Sequence, residues 1–221
     1  MNDLIASHGT LIAEGFLGTL RVVAIGFVTG AMAGAALGAI ACGPAGWARM
    51  LVRCYVELIR NTPFLVQASL LFALFGVAGV RVSTMALGIA AVALYTAAYM
   101  AEIVRGGLQA IPKGQLEAAD TLGLSYWQTQ RKIVLPQALA MVVPSMMNNF
   151  ISIFKDTSLV TIVSLYELTG ALSLALNSDV EWRPFKIEAY FFITLVYFLF
   201  CFAMSRYSLW VEKQLSASKA R

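Results

Sequence analysis

The sequence predicts an all-α integral membrane protein with five crossings, its N-terminus outside and its C-terminus in the cytoplasm. Three observations lead there. First, 59% of the 221 residues are hydrophobic and only 13% are charged, and mean hydropathy is +0.75. A water-soluble domain of this size needs a largely wetted surface, so much of this apolar surplus must face lipid. Second, five stretches approach the roughly 20 apolar residues that cross a bilayer. Third, the segments between them alternate between basic and poorly basic, as the preference for cytoplasmic Lys and Arg demands. Length allows one domain, residues 1–221.

The first span runs from about Phe16 to Ala41, with Arg21 its one charge. Arg21 is expected to snorkel towards headgroups. Gly26, Gly30, Gly34 and Gly38, with Ala31, Ala33, Ala35 and Ala36, make this span rich in small residues, which let helices approach closely in lipid. The second span runs from Pro63 to Val80, where Thr62-Pro63 reads as an N-cap followed by proline in the first turn. The third runs from Val82 to Ala101 and the fourth from about Leu135 to Phe154. The fourth is either long or broken, because Leu159 to Val163 is apolar again after Lys155 and Asp156. The fifth runs from about Ala189 to Ser205.

Orientation follows from the connecting segments. Arg49, Arg53 and Arg60 lie in the first loop, and Arg105, Lys113, Arg131 and Lys132 in the third. The tail carries Arg206, Lys213, Lys219 and Arg221. The N-terminus has no Lys or Arg, the second loop only Arg81, and the fourth loop is more acidic, with Glu167, Asp179, Glu181 and Glu188 against Arg183 and Lys186. The N-terminal segment, with Asp3 and Glu14, does not read as a cleavable signal peptide. Cys42, Cys54 and Cys201 lack metal or redox spacing, and His8 is the only histidine, so no metal site or histidine triad is expected. The net charge of +4 is accounted for by the loops, which argues against nucleic acid as a partner.

The third loop, Glu102 to Val134, holds two short helices. One starts near Pro112 and stops at Gly123, placing Leu116, Ala119 and Leu122 on one side. The second starts at Ser125, with Gln128 three residues on as a capping box, and ends near Pro136. Such a helix-turn-helix either docks a cytoplasmic partner or lies on the membrane surface. Glu117-Ala118-Ala119, then Gly123, then Leu135-Pro136, resembles the EAA loop of permease subunits of ABC-type importers. Tyr55 to Pro63 and Phe154 to Val160 look like segments of the polar amino-acid branch, the histidine, glutamine and arginine permeases. Cys201 to Leu215 looks more like permeases for general L-amino acids. Asn61 departs from the small residue that the pattern leads one to expect.

The resemblance implies a type I importer for amino acids in the bacterial cytoplasmic membrane. Two permease subunits, identical or related, would form the pore. Cytoplasmic ATP-binding subunits would drive it, and an extracytoplasmic solute-binding protein would deliver the substrate. Residues 105–135 would form the coupling loop, with Glu117, Ala118 and Ala119 against the ATPase and Gly123 permitting the sharp turn, since glycine tolerates positive φ. The chain has no GxxxxGK[ST] motif, so ATP hydrolysis belongs to a partner and no cofactor is called for here.

Ionisable groups at membrane depth are costly and usually functional. Asp156 and Lys155 either face the substrate pathway or form an interfacial pair at a helix end. Asp156 could meet a substrate ammonium; Lys155, or the positive end of a broken helix, could meet the carboxylate. Thr157, Tyr99 and Asn149 are further pathway candidates, although Tyr95, Thr96 and Tyr99 could equally be packing, and Asn148 and Asn149 could bond across helices. Glu102 and Arg105, one turn apart, read as an i,i+3 pair. The competing reading is a secondary transporter or channel without an ATPase; the chain shows no paired repeat of spans that would favour it. An intramembrane enzyme would need a catalytic set that the sequence does not offer.

Overall fold

The computed structural model describes residues 2–178 and 180–219. Asp179 and Arg221, two of the charges used to read orientation, lie outside the described residues. The described residues are helical throughout, apart from turns and short connections. Four helical stretches are long and apolar enough to cross a membrane, and a fifth crossing results only if a bent helix pair counts as one span.

Helix α1, Asn2–Cys42, extends the first expected span by many residues at its N-terminal end. It pairs with α4, Thr84–Gln109, through the glycine stripe. A Cβ added at Gly30 would stand 2.5 Å from the Ala93 carbonyl oxygen, and one at Gly34 2.5 Å from that of Ala97. Gly26 and Gly38 meet Val92 and the Ala101 carbonyl as closely. Four residues per repeat put all four on one face, so the backbones touch where no side chain intervenes. Helix α4 starts at Ser83, whose hydroxyl accepts from the Ala86 amide at 3.2 Å. It continues eight residues beyond the expected end at Ala101, so Glu102 and Arg105 lie within the helix.

The second span differs most from expectation. Phe64–Val77 (α3) has 14 residues, about 21 Å of helix, too short for a hydrocarbon core of about 30 Å. The segment expected as the first loop contains another helix, α2, Gly46–Arg60, bent by 104° from α3. Pro63 causes the break: it has no amide hydrogen and forces the residue before it towards extended geometry. Thr62 does not cap α3 as expected. Its hydroxyl donates back to the Leu58 carbonyl at 2.9 Å, and Pro63 itself occupies the N-cap position. Gln67 closes the break by donating to the carbonyls of Ile59 (2.7 Å) and Thr62 (2.9 Å).

In the third loop, α5, Lys113–Thr121, is followed by α6, Tyr126–Thr129. The second loop helix does not end near Pro136. A wide π turn, Gln130–Val134, joins α6 directly to α7, Leu135–Asp156. Pro136 has no proton for the carbonyl four residues back, and the wider turn makes room for its ring. A tighter 3-10 segment, Thr157–Val163, prolongs α7, so the fourth span is long rather than broken at Asp156. The chain turns at Ser164, φ 59°, and folds back as α8, Leu168–Ser178, against α1. After the short 3-10 segment Val180–Phe185, α9, Lys186–Lys219, packs on α7. The main core joins Val22, Phe27, Phe64, Val92, Met100, Ile153 and Phe154, and Phe154 stacks on Phe200 at 4.2 Å.

Candidate functional site

The turn after α5 is built by its backbone. Gly123 stands at φ 66°. Its amide donates to the Asp120 carbonyl at 3.0 Å, and the next amide, Leu124, reaches the Ala119 carbonyl at 3.1 Å. These two bonds are the Schellman pair that stops a helix at a left-handed glycine. Ser125 then gives its amide to Gln128 Oε1 at 2.9 Å, which starts α6. Gln137 Nε2 donates to Gln115 Oε1 at 2.6 Å and ties α5 to the base of α7.

Side chains on this loop divide sharply. Ala119 is buried, while Glu117 and Ala118 are exposed. Leu122 does not share the buried side with Ala119: it is 77% exposed. Tyr126 and Trp127, in edge-to-face contact at 5.4 Å, are 69% and 72% exposed. The tip therefore carries three bare apolar groups beside the Glu117 carboxylate. Tyr126 and Trp127 were not singled out in the sequence; two adjacent aromatics directly after a helix cap were the available signal.

The pathway candidates do not form one cluster. Asp156 is half-buried at the end of α7, and its charge acts on the Tyr95 hydroxyl. Tyr95 donates to the Tyr99 hydroxyl at 3.1 Å, the two rings lie 4.7 Å apart, and the Arg60 guanidinium sits 5.4 Å over the Tyr99 ring. Asp156, Tyr95 and Tyr99 thus share a neighbourhood between α4 and α7. Lys155 is exposed, and its charge reaches both the neighbouring Asp156 and Cys201 of α9. The ion pairs among the described residues are Arg60–Glu102 and Arg105–Glu102, so Lys155 and Asp156 do not form one. Thr157 is fully buried, and its hydroxyl donates to the Phe154 carbonyl at 2.7 Å. Asn149 keeps a buried side-chain oxygen without a partner, whereas Asn148 is exposed.

The helix that follows Asp156 and the 3-10 segment is α8, and the chain caps its N-terminus from within. Glu167 Oε1 accepts from the Gly170 amide at 2.6 Å and from Thr161 Oγ1 at 2.7 Å. The Tyr197 hydroxyl donates to Glu167 Oε2 at 3.1 Å, and Thr19 Oγ1 accepts from the Leu168 amide at 3.1 Å. Glu167, counted as a loop charge in the sequence, is fully buried. A buried carboxylate needs such donors to offset its lost hydration. Glu102 and Arg105 pair as expected, Nε to Oε2 at 2.8 Å.

Residues 26–217 match the model of the family described as the binding-protein-dependent transport system inner membrane component. Over 174 residues the chain is 42% identical to the inner membrane amino-acid ABC transporter permease protein YhdY of Escherichia coli (strain K12), covering 77% of this chain and 47% of that protein. The chain thus spans less than half the length of that relative. It is 33% identical over 198 residues to the probable glutamine ABC transporter permease protein GlnP of Bacillus subtilis (strain 168), covering 90% of each. Among solved structures, a crystal structure of an amino acid ABC transporter with histidines superposes with a TM-score of 0.87 at 28% identity, covering 95% of this chain and 96% of that one.

Proposed function

This chain belongs to the family of binding-protein-dependent transport system inner membrane components, and from that premise we propose that it is the permease subunit of an ATP-driven amino-acid importer in the bacterial cytoplasmic membrane. The relatives' names supply the substrate class. Partners are two cytoplasmic ATP-binding subunits, a second permease subunit, identical or related, and an extracytoplasmic solute-binding protein. The bent pair α2–α3 serves as the second of five crossings, with the N-terminus outside and the C-terminus inside. Residues 1–221 form one transmembrane domain, and residues 105–135 are its coupling loop.

The observation that carries this reading is the tip of that loop. A short helix stopped by a backbone-built turn presents Leu122, Tyr126 and Trp127 to the outside, with Glu117 and Ala118 beside them. Exposed apolar groups grouped on a rigid element mark a protein contact. On this account the ATPase covers them, and its movement is passed through α6 and the continuous α7 to the membrane. Asp156, beside Tyr95 and Tyr99, is assigned to the substrate ammonium. Lys155, Thr157 and Asn149 are lesser contributors to the pathway. Coexpression with the ATP-binding subunit tests the coupling role. Gly123→Pro or Glu117→Arg should leave the chain inserted but uncouple ATP hydrolysis from uptake; uptake at the wild-type rate in both variants would refute it.

A further inference from the structure

Helix α2 has three faces. Val52 and Val56 are buried against α4 and α1. Trp47, Met50, Leu51 and Leu58 form an exposed apolar face, each more than 60% accessible. Arg49, Arg53, Glu57 and Arg60, at spacings of four, four and three, form a charged face. Opposite that charged face stand Glu102 and Arg105 of α4. Together they line one polar cleft of about 340 Å³. Four guanidiniums meet two carboxylates there, a surplus of two positive charges. Arg60 and Arg105 share Glu102, and neither ion pair includes Arg49 or Arg53.

We propose that this cleft binds the phosphate of an anionic phospholipid headgroup, held chiefly by Arg49 and Arg53. The assignment rests on the orientation proposed above, which places the cleft in the cytoplasmic leaflet, where anionic headgroups attract basic residues. Guanidinium forks match phosphate oxygens in pairs. The adjoining apolar face of α2 is where an acyl chain would lie, and Trp47 is the residue type that anchors helices at a membrane interface. One helix thus offers guanidiniums to a headgroup and, beside them, exposed apolar residues to its acyl chain, so the lipid is the occupant the whole helix fits.

The test uses the purified permease complex in detergent, with native mass spectrometry to read bound lipid. Wild type should retain phosphatidylglycerol in preference to phosphatidylcholine of the same acyl chains. Arg49→Gln/Arg53→Gln should bind phosphatidylglycerol about 30-fold more weakly, from about 1 kcal/mol per basic residue at about 1.4 kcal/mol per decade. Its phosphatidylcholine binding should not change, and Arg81→Gln should behave as wild type. Equal retention of phosphatidylglycerol in the double variant would overturn the site. Displacement of the lipid by millimolar inorganic phosphate would overturn the lipid in favour of a free anion. Should the double variant not assemble, a photoactivatable phosphatidylglycerol in wild-type protein decides: adducts are expected on residues 46–60 and 102–109. Adducts confined elsewhere, including the case where a second permease copy covers the cleft, contradict the proposal.

Discussion

Replacing Glu167 by alanine removes the acceptor for three donors at once: the Thr161 hydroxyl, the Gly170 amide and the Tyr197 hydroxyl. The amide is fixed in the first turn of α8 and cannot turn elsewhere. The Tyr197 hydroxyl retains Thr169 at 3.4 Å, and the Thr161 hydroxyl can rotate. A stranded buried donor costs about 1–3 kcal/mol, and the vacated side-chain volume adds to this, for a total of about 3 to 4 kcal/mol. In a chain of this size that is a fall of about 10 °C in melting temperature, at about 2–4 °C per kcal/mol. Glu167→Gln keeps one oxygen for Thr161 and Gly170 and can offer its NH2 to the Tyr197 oxygen. It should lose only about 1 kcal/mol, or about 3 °C. Size-exclusion retention of the detergent-solubilised protein after heating reads both values. Equal losses for alanine and glutamine would mean that the negative charge, rather than the acceptor geometry, holds α8. No loss in the alanine variant would refute the network.

Other expectations are simpler to state. Gly34→Leu should prevent close approach of α1 and α4 and abolish stable protein, and Gly34→Ala should cost about 1–3 kcal/mol by overpacking. Gly76→Ala, with nothing within 4 Å of the new carbon, is the control and should melt as wild type. Cysteines at Gly9 and Gln214, in a background without native cysteines, should label from opposite sides of the membrane; labelling from one side would sink the five-crossing topology. Asp156→Asn should abolish or redirect transport while leaving ATPase assembly intact, and unchanged kinetics would remove the residue from the pathway. Trp127→Ala should weaken ATPase copurification without loss of insertion, and undiminished copurification would count against the loop tip as the contact.

Four of the spans were legible because lipid imposes a coarse rule, apolarity over a set length; the second was not, because its apolar helix is short and bent from α2 at Pro63. That Gly26, Gly30, Gly34 and Gly38 form one stripe against α4 emerges only in the structure, whereas the richness of the first span in small residues was legible, as was Gly123, because a left-handed helix stop favours glycine. Helix α2 was not. Its charged face reads as loop charge, and only its three-sided pattern reveals a helix lying against α1 and α4. Glu167 reads as solvated because a carboxylate between apolar runs looks like loop charge until its donors are brought together from the 3-10 segment, the first turn of α8 and α9. Thr62 and Thr157 show a related limit. Thr62 looks available for capping α3, and both hydroxyls donate to a carbonyl of their own preceding turn. The continuity from α6 to α7 was hidden by Pro136, a residue that ends most helices but here follows a π turn.

The central claim is that ATP hydrolysis by a partner drives amino-acid movement through this chain. The direct measurement is uptake of a radiolabelled amino acid into proteoliposomes holding the reconstituted permease and ATPase subunits, with binding protein supplied on the substrate side. The account expects uptake only when ATP is present at the face bearing residues 105–135, and a loss of that uptake with Glu117→Arg while the subunits remain inserted. Uptake by the permease alone, driven by an ion gradient without ATP, would contradict it.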